Sequence, residues 1–190
     1  MYYFLIPILA GFASHLASAF TTTYSEKFGK KASMYITFFL RNVLGIPIWA
    51  LGYFLTIRAN DELLYDSSLW NQIIGWSVII IGGVIIIAAL LSIRSKAAVA
   101  TLHDSIVNTG IYAFVRHPIH CGTFLEFVGV LILYPSYTVG LAFLIGFVWI
   151  YLQSRFEEKD LLKRIPGYGN YMLEVPRFIP NTGSFRRAAK

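Results

Sequence analysis

The stretch LWNQIIGWSVIIIGGVIIIAALLSI, residues 69–93, contains no side chain that is charged near neutral pH. A helix of this length rises about 37 Å, which exceeds the roughly 30 Å hydrocarbon core of a bilayer. Residues 2–22 form a second apolar run, in which His15 is the one acidic or basic side chain. Long runs of this kind predict membrane-spanning helices rather than the interior of a soluble protein.

The composition of the whole chain agrees with a membrane protein. Of its 190 residues, 56% are hydrophobic and 14% are charged, against about 45–50% and about 25% in soluble domains. The single cysteine, Cys121, excludes an intramolecular disulfide. We therefore expect one membrane domain over residues 1–190, in which 1–92 provides three N-terminal spans, 93–180 forms a core and 181–190 is a basic tail.

The apolar runs predict an all-α bundle of about five transmembrane helices. The last two spans are short and are separated only by residues 134–136, so they predict a C-terminal helical hairpin followed by a cytoplasmic tail. The predicted spans are about 2–22, 34–57, 70–92, 118–134 and 136–153.

Basic residues are distributed unequally between the predicted loops. Fourteen Lys and Arg residues fall in the 24–33 loop, the 93–117 segment and the tail from Arg155, whereas the opposite side has Arg58. Because basic loops stay in the cytoplasm, we expect the amino terminus outside and the carboxyl terminus inside.

A first polar cluster, HDSIVNTGIYAFVRHPIHCG at residues 103–122, runs into the fourth predicted span. Proline suits the first turn of a helix, so the helix is expected to begin at 116–118. Its free N–H groups, with Arg116 and His117, would form a site for a carboxylate or phosphate. The alternative is that Arg116 anchors the helix at lipid headgroups and His117 caps it.

A second polar cluster, RFEEKDLLKR at residues 155–164, begins where the fifth predicted span ends. A hairpin would return Glu157 and Glu158 to the membrane face that carries Arg116. A carboxylate beside an anion site suits a zwitterionic amino-acid ligand. The alternative is a solvated run of charges beyond a helix end.

Three motifs in order carry a resemblance to a known family. They are GIYAFVRHPIHCG at 110–122, EEKDLL at 157–162 and YGNYMLEVPRFIP at 168–180. Together they resemble the isoprenylcysteine carboxyl methyltransferase and phospholipid methyltransferase superfamily of integral-membrane enzymes, over roughly residues 103–180. The one departure is His120, where these enzymes usually have tyrosine.

The resemblance implies S-adenosylmethionine as methyl donor, bound at the cytoplasmic ends of the last two spans and closed by a tail that includes Arg177. The implied cofactor-binding residues are His103, Gly110, Tyr112, His117, Pro118, Glu157, Glu158, Tyr168 and Tyr171. The methyl acceptor stays open between an isoprenylcysteine-like carboxylate, a phospholipid amine, a small thiol and other lipophilic groups. The expected partners are such a substrate and membrane lipids, not nucleic acid.

Methyl transfer from a sulfonium depends mainly on alignment and exclusion of water. An amine acceptor would also need a nearby base, for which His120 and Glu126 are candidates. Arg116 completes the set of candidate catalytic residues, and a purely structural His120 is the alternative. His117, His120 and Cys121 do not match a zinc-finger spacing, so the sequence predicts no metal site.

Three charged or polar residues, His15, Arg41 and Glu126, lie at a similar depth within the predicted spans. Gly122 and Gly129 share the face of Glu126 and would let another helix approach closely. Two interpretations remain open: an Arg41–Glu126 ion pair that locks two spans, or a buried acceptor cavity lined by these side chains.

Two other function classes compete with the methyltransferase. Sterol-type membrane reductases have a similar C-terminal hairpin and an Arg-His motif, but they bind NADPH, whose phosphates a Glu-Glu pair would repel. A non-enzymatic transporter or assembly protein would explain the intramembrane charges but not two polar clusters on one side.

Overall fold

The computed structural model describes residues 3–59, 62–93 and 106–181, and most of these residues are helical. They include a π-helical segment, Phe39–Gly45, and a 3-10 turn, Gly110–Ala113. The α-helices are α1 (Leu5–Ala17), α2 (Thr21–Phe28), α3 (Lys30–Phe38), α4 (Ile46–Ile57), α5 (Leu69–Ile93), α6 (Pro118–Leu133), α7 (Tyr137–Arg164) and α8 (Tyr168–Glu174).

Three helices in the described part of the chain are long and apolar enough to cross a membrane: Lys30–Ile57, Leu69–Ile93 and Tyr137–Arg164. The pair α1 and α2, bent by 65°, would add a fourth if it forms one span. Helix α6 has 16 residues, or about 24 Å. The all-helical membrane architecture is confirmed, while the count of five spans and the C-terminal hairpin stay predictions.

The predicted limits of the first span and first loop were wrong. The apolar helix α1 stops at Ala17, where the Ser18 hydroxyl donates to the carbonyl oxygen of His15 at 2.6 Å. The expected 24–33 loop is mostly helix, interrupted only at Gly29. Gly29 has a φ of +85°, which a residue with a side chain rarely adopts, so the chain turns there between two polar helices.

The second and fifth predicted spans also differ from the helices. The helix over Lys30–Ile57 continues through the π-helical segment. This segment ends just before Pro47, which has no backbone N–H to donate the regular helical hydrogen bond. Helix α7 continues eleven residues beyond the predicted end at 153. Charged residues such as Glu, Lys and Arg have high helix propensity, so the helix extends beyond its apolar part.

Glycines bring α5 and α6 together as antiparallel neighbours. Gly82 lies opposite Gly122 and Gly75 lies opposite Gly129. A Cβ at Gly122 would lie 2.6 Å from the carbonyl oxygen of Gly82, and one at Gly129 would lie 2.8 Å from that of Gly75. The expected close approach at Gly122 and Gly129 is thus confirmed, and α5 is the helix that uses it.

An aromatic core joins α1, α4, α6 and α7. Phe12 stacks on Trp149 with ring centroids 4.3 Å apart, and Tyr53 stacks on Phe127 at 4.6 Å. The Tyr53 hydroxyl donates to the carbonyl oxygen of Ala142 at 2.8 Å, so this buried polar group is satisfied. The core holds the ends of α6 and α7 that carry both polar clusters.

Candidate functional site

A cavity of about 500 Å³ lies between α1, the π-helical segment, α5, α6, α7 and α8. Its lining combines polar side chains, which include Tyr112, Glu157 and Asp160, with Ile46 and Ile86 of the membrane helices. Small-molecule sites commonly have volumes of about 300–1,000 Å³. This cavity is therefore the candidate functional site.

The cavity contains most of the residues that the sequence singled out. The three polar residues of the predicted spans, His15, Arg41 and Glu126, all line it. The other predicted site residues in its lining are Tyr112, Arg116, His117, His120, Glu157, Tyr168 and Tyr171.

Glu158 joins the start of α6 to the C-terminal tail and is not in the described cavity lining. Its side chain is only 4% exposed. Arg177 donates from Nε to Oε1 at 2.9 Å and from Nη2 to Oε2, a two-bond geometry that favours a carboxylate. Arg116 and His117 also contact Oε1, at 3.0 and 3.2 Å. Both carboxylate oxygens of Glu158 are therefore occupied within the protein.

Arg116 fastens helix α8 and is not open to an anion, contrary to expectation. Besides Glu158, its Nη1 donates to the carbonyl oxygens of Met172 and Val175 at 2.6 and 2.7 Å. These carbonyls belong to the C-terminal end of α8, where the helix itself offers no donors. The backbone N–H of Arg116 also donates to the carbonyl oxygen of Pro176. The tail is thereby held against the start of α6.

Two histidines and Glu157 form a compact group on the cavity wall. The Nδ1 atoms of His117 and His120 are 3.3 Å apart, and Nδ1 of His117 is 3.6 Å from Oε2 of Glu157. Both imidazoles are buried. Burial disfavours protonation of His117, but its contacts with Glu157 and Glu158 outweigh burial and raise its pKa.

Glu157 is the more accessible of the two carboxylates, with a side chain 22% exposed. Its Oε1 accepts a hydrogen bond from Gln153 Nε2 at 2.9 Å and lies 3.9 Å from Arg41. The Arg41–Glu126 ion pair, one of the two interpretations that the sequence left open, is wrong, because Arg41 turns towards Glu157 and Ser18. In the described part of the chain no ion pair joins Arg41 to Glu126, which lies instead beside Gly82 on α5.

The remaining predicted residues have structural positions. Gly110 has a φ of +59° in the turn before α6, and Pro118 is buried in the first turn of α6. The Tyr171 hydroxyl donates to the carbonyl oxygen of Tyr112 at 2.7 Å, which joins α8 to that turn. His103 lies outside the described residues.

Sequence reasoning missed Asp160, Trp49 and Trp149, which also line the cavity. Asp160 accepts the backbone N–H of Thr22 at 2.7 Å and so caps α2 from α7. It lies three residues after Glu157, so helical spacing along α7 was a usable signal. The indole Nε1 atoms of Trp49 and Trp149 have no hydrogen-bond partner among the described residues, and neither has Nδ1 of His15.

Comparison with known proteins gives one match. The sequence model of the family described as phospholipid methyltransferase matches residues 70–170, more than half of the chain. Neither the curated proteins nor the solved structures gave a match.

Proposed function

Because the chain belongs to the phospholipid methyltransferase family, we propose that it transfers a methyl group from S-adenosylmethionine to a lipophilic or lipid-linked acceptor. The observation that carries the proposal is a single cavity whose lining combines carboxylates with apolar side chains of the membrane helices. A water-soluble cationic donor and a lipophilic acceptor could meet in such a cavity.

The polar part of the lining fits the donor by the chemistry of its side chains. Glu157 provides negative charge for a ligand with ammonium and sulfonium groups, whereas both oxygens of Asp160 are occupied by Thr22 and Arg164. Tyr168 and Tyr171 pack with Ile106 and Leu161 in a small apolar cluster, which suits the face of an adenine ring. His117 at the start of α6 would complete this donor site.

The apolar part of the lining fits a lipophilic acceptor. It includes Ile46 of α4 and Ile86 and Leu90 of α5, and all three are on helices rich in apolar residues. The buried indole N–H groups of Trp49 and Trp149 lack partners among the described residues, so they could donate to a polar group of the acceptor.

The donor supplies an activated methyl group on a positively charged sulfur. The protein then has to align this methyl group with the acceptor and exclude water. The tail residues held by Arg116 and Glu158 close the cytoplasmic side, while His120 and Glu126 lie within the cavity as candidate bases for an acceptor that must lose a proton. Arg116 acts in this proposal as a positioning residue.

The orientation completes the proposal: five spans, the amino terminus outside, and the donor end of the cavity in the cytoplasm. It is supported by the excess of basic residues on one side. In this orientation Glu157 and the tail face the compartment in which S-adenosylmethionine is made available.

A binding comparison tests the proposal against a nicotinamide-dependent reductase. Thermal unfolding of the purified protein should shift upwards with S-adenosylhomocysteine and not with NADPH. At a ligand concentration of 100 Kd, the stabilisation amounts to about 2.7 kcal/mol. A shift with NADPH alone would refute the donor assignment.

The acceptor is tested by incubating the protein and isotope-labelled S-adenosylmethionine with host lipid extracts, prenyl-cysteine analogues and small thiols. Mass spectrometry should find label in one of these classes. Donor binding with no label in any class would contradict the proposed acceptor chemistry.

A further inference from the structure

His117, His120 and Glu157 present three metal-binding atoms within 4.8 Å of one another. The two shortest separations, 3.3 Å between the Nδ1 atoms and 3.6 Å from Nδ1 of His117 to Oε2 of Glu157, are informative. Bonds of about 2.0–2.2 Å to a tetrahedral zinc ion place neighbouring ligand atoms roughly 3.3–3.5 Å apart. These two separations fit ligands around one ion, and all three atoms lie within 4.8 Å of one another.

The atoms behind this group are arranged as in a metal site. Nε2 of His117 lies 3.2 Å from Oε1 of Glu158, so the imidazole can donate to a carboxylate on its far side. Oε1 of Glu157 accepts from Gln153, which leaves Oε2 facing the histidines. Hydrogen bonds of this kind orient ligands and raise their basicity.

We propose that His117, His120 and Glu157 bind a zinc ion whose fourth coordination position opens into the cavity. All three side chains line that cavity, so the fourth ligand can come from the cavity and not from another described protein atom. Two imidazoles and one carboxylate with an open position are the ligand set of many catalytic zinc sites. The second imidazole comes from His120, in the first turn of α6.

The site extends the proposed function and does not depend on it, because the metal can be measured without donor or acceptor. Glu157 would use Oε2 for the ion, while its Oε1 keeps the hydrogen bond from Gln153. Sequence reasoning missed the site because the third ligand comes from α7, 37 residues after His120, and because Cys121 instead turns its sulfur towards the carbonyl oxygen of Phe178.

Metal content of the full-length protein tests the proposal. The protein is treated with a chelator, exposed to excess Zn²⁺ and passed through a desalting column, and its zinc is measured by mass spectrometry. We expect one zinc per chain in the wild type and a loss of most of it in His120→Tyr. His15→Ala is the matched control, because it removes a buried cavity histidine outside the group and should retain the metal.

The open position is tested with Co²⁺ in place of Zn²⁺. The visible spectrum should show tetrahedral d–d bands, and decanethiol added in detergent should give a thiolate-to-cobalt charge-transfer band. Gel filtration checks folding, and His120→Gln is measured in the same way if His120→Tyr does not fold. Absence of the charge-transfer band would overturn the open position.

Binding of S-adenosylhomocysteine to the same proteins separates this inference from the proposed function. Loss of zinc with donor affinity retained in a folded His120 variant supports the metal site. If the wild type binds the donor but no zinc, the metal site is refuted and the proposed methyltransferase is not. The two Nδ1 atoms would then share a proton. Zinc retained at full stoichiometry in His120→Tyr also overturns the metal site, and zinc binding without donor binding refutes the proposed donor instead.

Discussion

The adjacent carboxylates Glu157 and Glu158 should respond in opposite ways to the same substitution. Glu158 is 4% exposed and is contacted by Arg116, His117 and Arg177, whereas Glu157 is 22% exposed and faces the cavity. We expect Glu158→Gln to destabilise the fold and Glu157→Gln to weaken donor binding. Each variant is the matched control of the other.

The magnitudes follow from burial and partners. Removing the charge of Glu158 leaves Arg116, only 8% exposed, without its counter-ion. Breaking a buried pair in this way costs about 3–5 kcal/mol, and a loss of this size lowers the melting temperature of a chain of this length by roughly 6–20 °C. Glu157 is partly exposed, and its Oε1 lies 3.9 Å from Arg41 and accepts from Gln153. A glutamine keeps an acceptor for Gln153, so Glu157→Gln should cost less stability than Glu158→Gln.

Donor affinity should show the reverse order. A hydrogen bond to a charged group contributes about 1.5–3 kcal/mol, so Glu157→Gln should raise the Kd of S-adenosylhomocysteine by roughly tenfold to a hundredfold. Thermal unfolding in detergent and isothermal titration calorimetry measure the two effects on the same samples. A Glu158→Gln protein of normal stability, or a Glu157→Gln protein of normal affinity, would refute the division of roles.

Three further predictions concern packing, charge and orientation. Gly82→Ala should lower stability by about 1–3 kcal/mol relative to Gly83→Ala. A Cβ at Gly82 would lie 2.6 Å from a carbonyl oxygen, whereas a Cβ at Gly83 would make an ordinary contact at 3.9 Å. Equal melting temperatures would contradict the α5–α6 packing. A double-mutant cycle of Arg41→Met and Glu126→Gln should give a coupling energy near zero, since no ion pair joins these side chains in the described structure, and a coupling above about 1 kcal/mol would restore the rejected pair. A reporter fused after Lys190 should be active only on the cytoplasmic side, and activity outside would reverse the proposed topology.

Local features of the fold were predictable because each depends on a short stretch of sequence. The uncharged run 69–93 predicted α5 to within one residue at each end. Pro118 fixed the start of α6, and Pro135 separated α6 from α7. Breaks and apolar runs are local properties, so neither required knowledge of a neighbouring helix.

Polar helices were less predictable, because hydropathy identifies apolar length and not helix length. Helix α2 and the end of α7 are polar, so the sequence predicts a loop or a solvated run of charges there. The break at Gly29 depends on a positive φ that the sequence suggests only through the glycine itself.

The partners of Arg41 and Glu126 could not be found from depth alone. Their similar position along two helices predicted contact, but depth does not fix the rotation of each helix about its axis. The glycines of α6 turn Glu126 towards α5, while the π-helical segment carries Arg41 towards Ser18 and Glu157. Rotation is set by packing between distant segments, which a single sequence does not reveal.

The same rotation explains why neighbouring glutamates have different roles. Successive residues of an α-helix point about 100° apart, so Glu157 and Glu158 cannot face one direction. Trp149, Glu157 and Arg164 recur at helical spacing and line the cavity from the aromatic core to the C-terminal end of α7. Glu158, one position further round, meets Arg177 and the tail. One face of α7 thereby provides a wall of the cavity, and the next face provides the carboxylate that holds the C-terminal tail. Substitutions at Glu157 and Glu158 therefore test the proposed donor site and the tail contact separately.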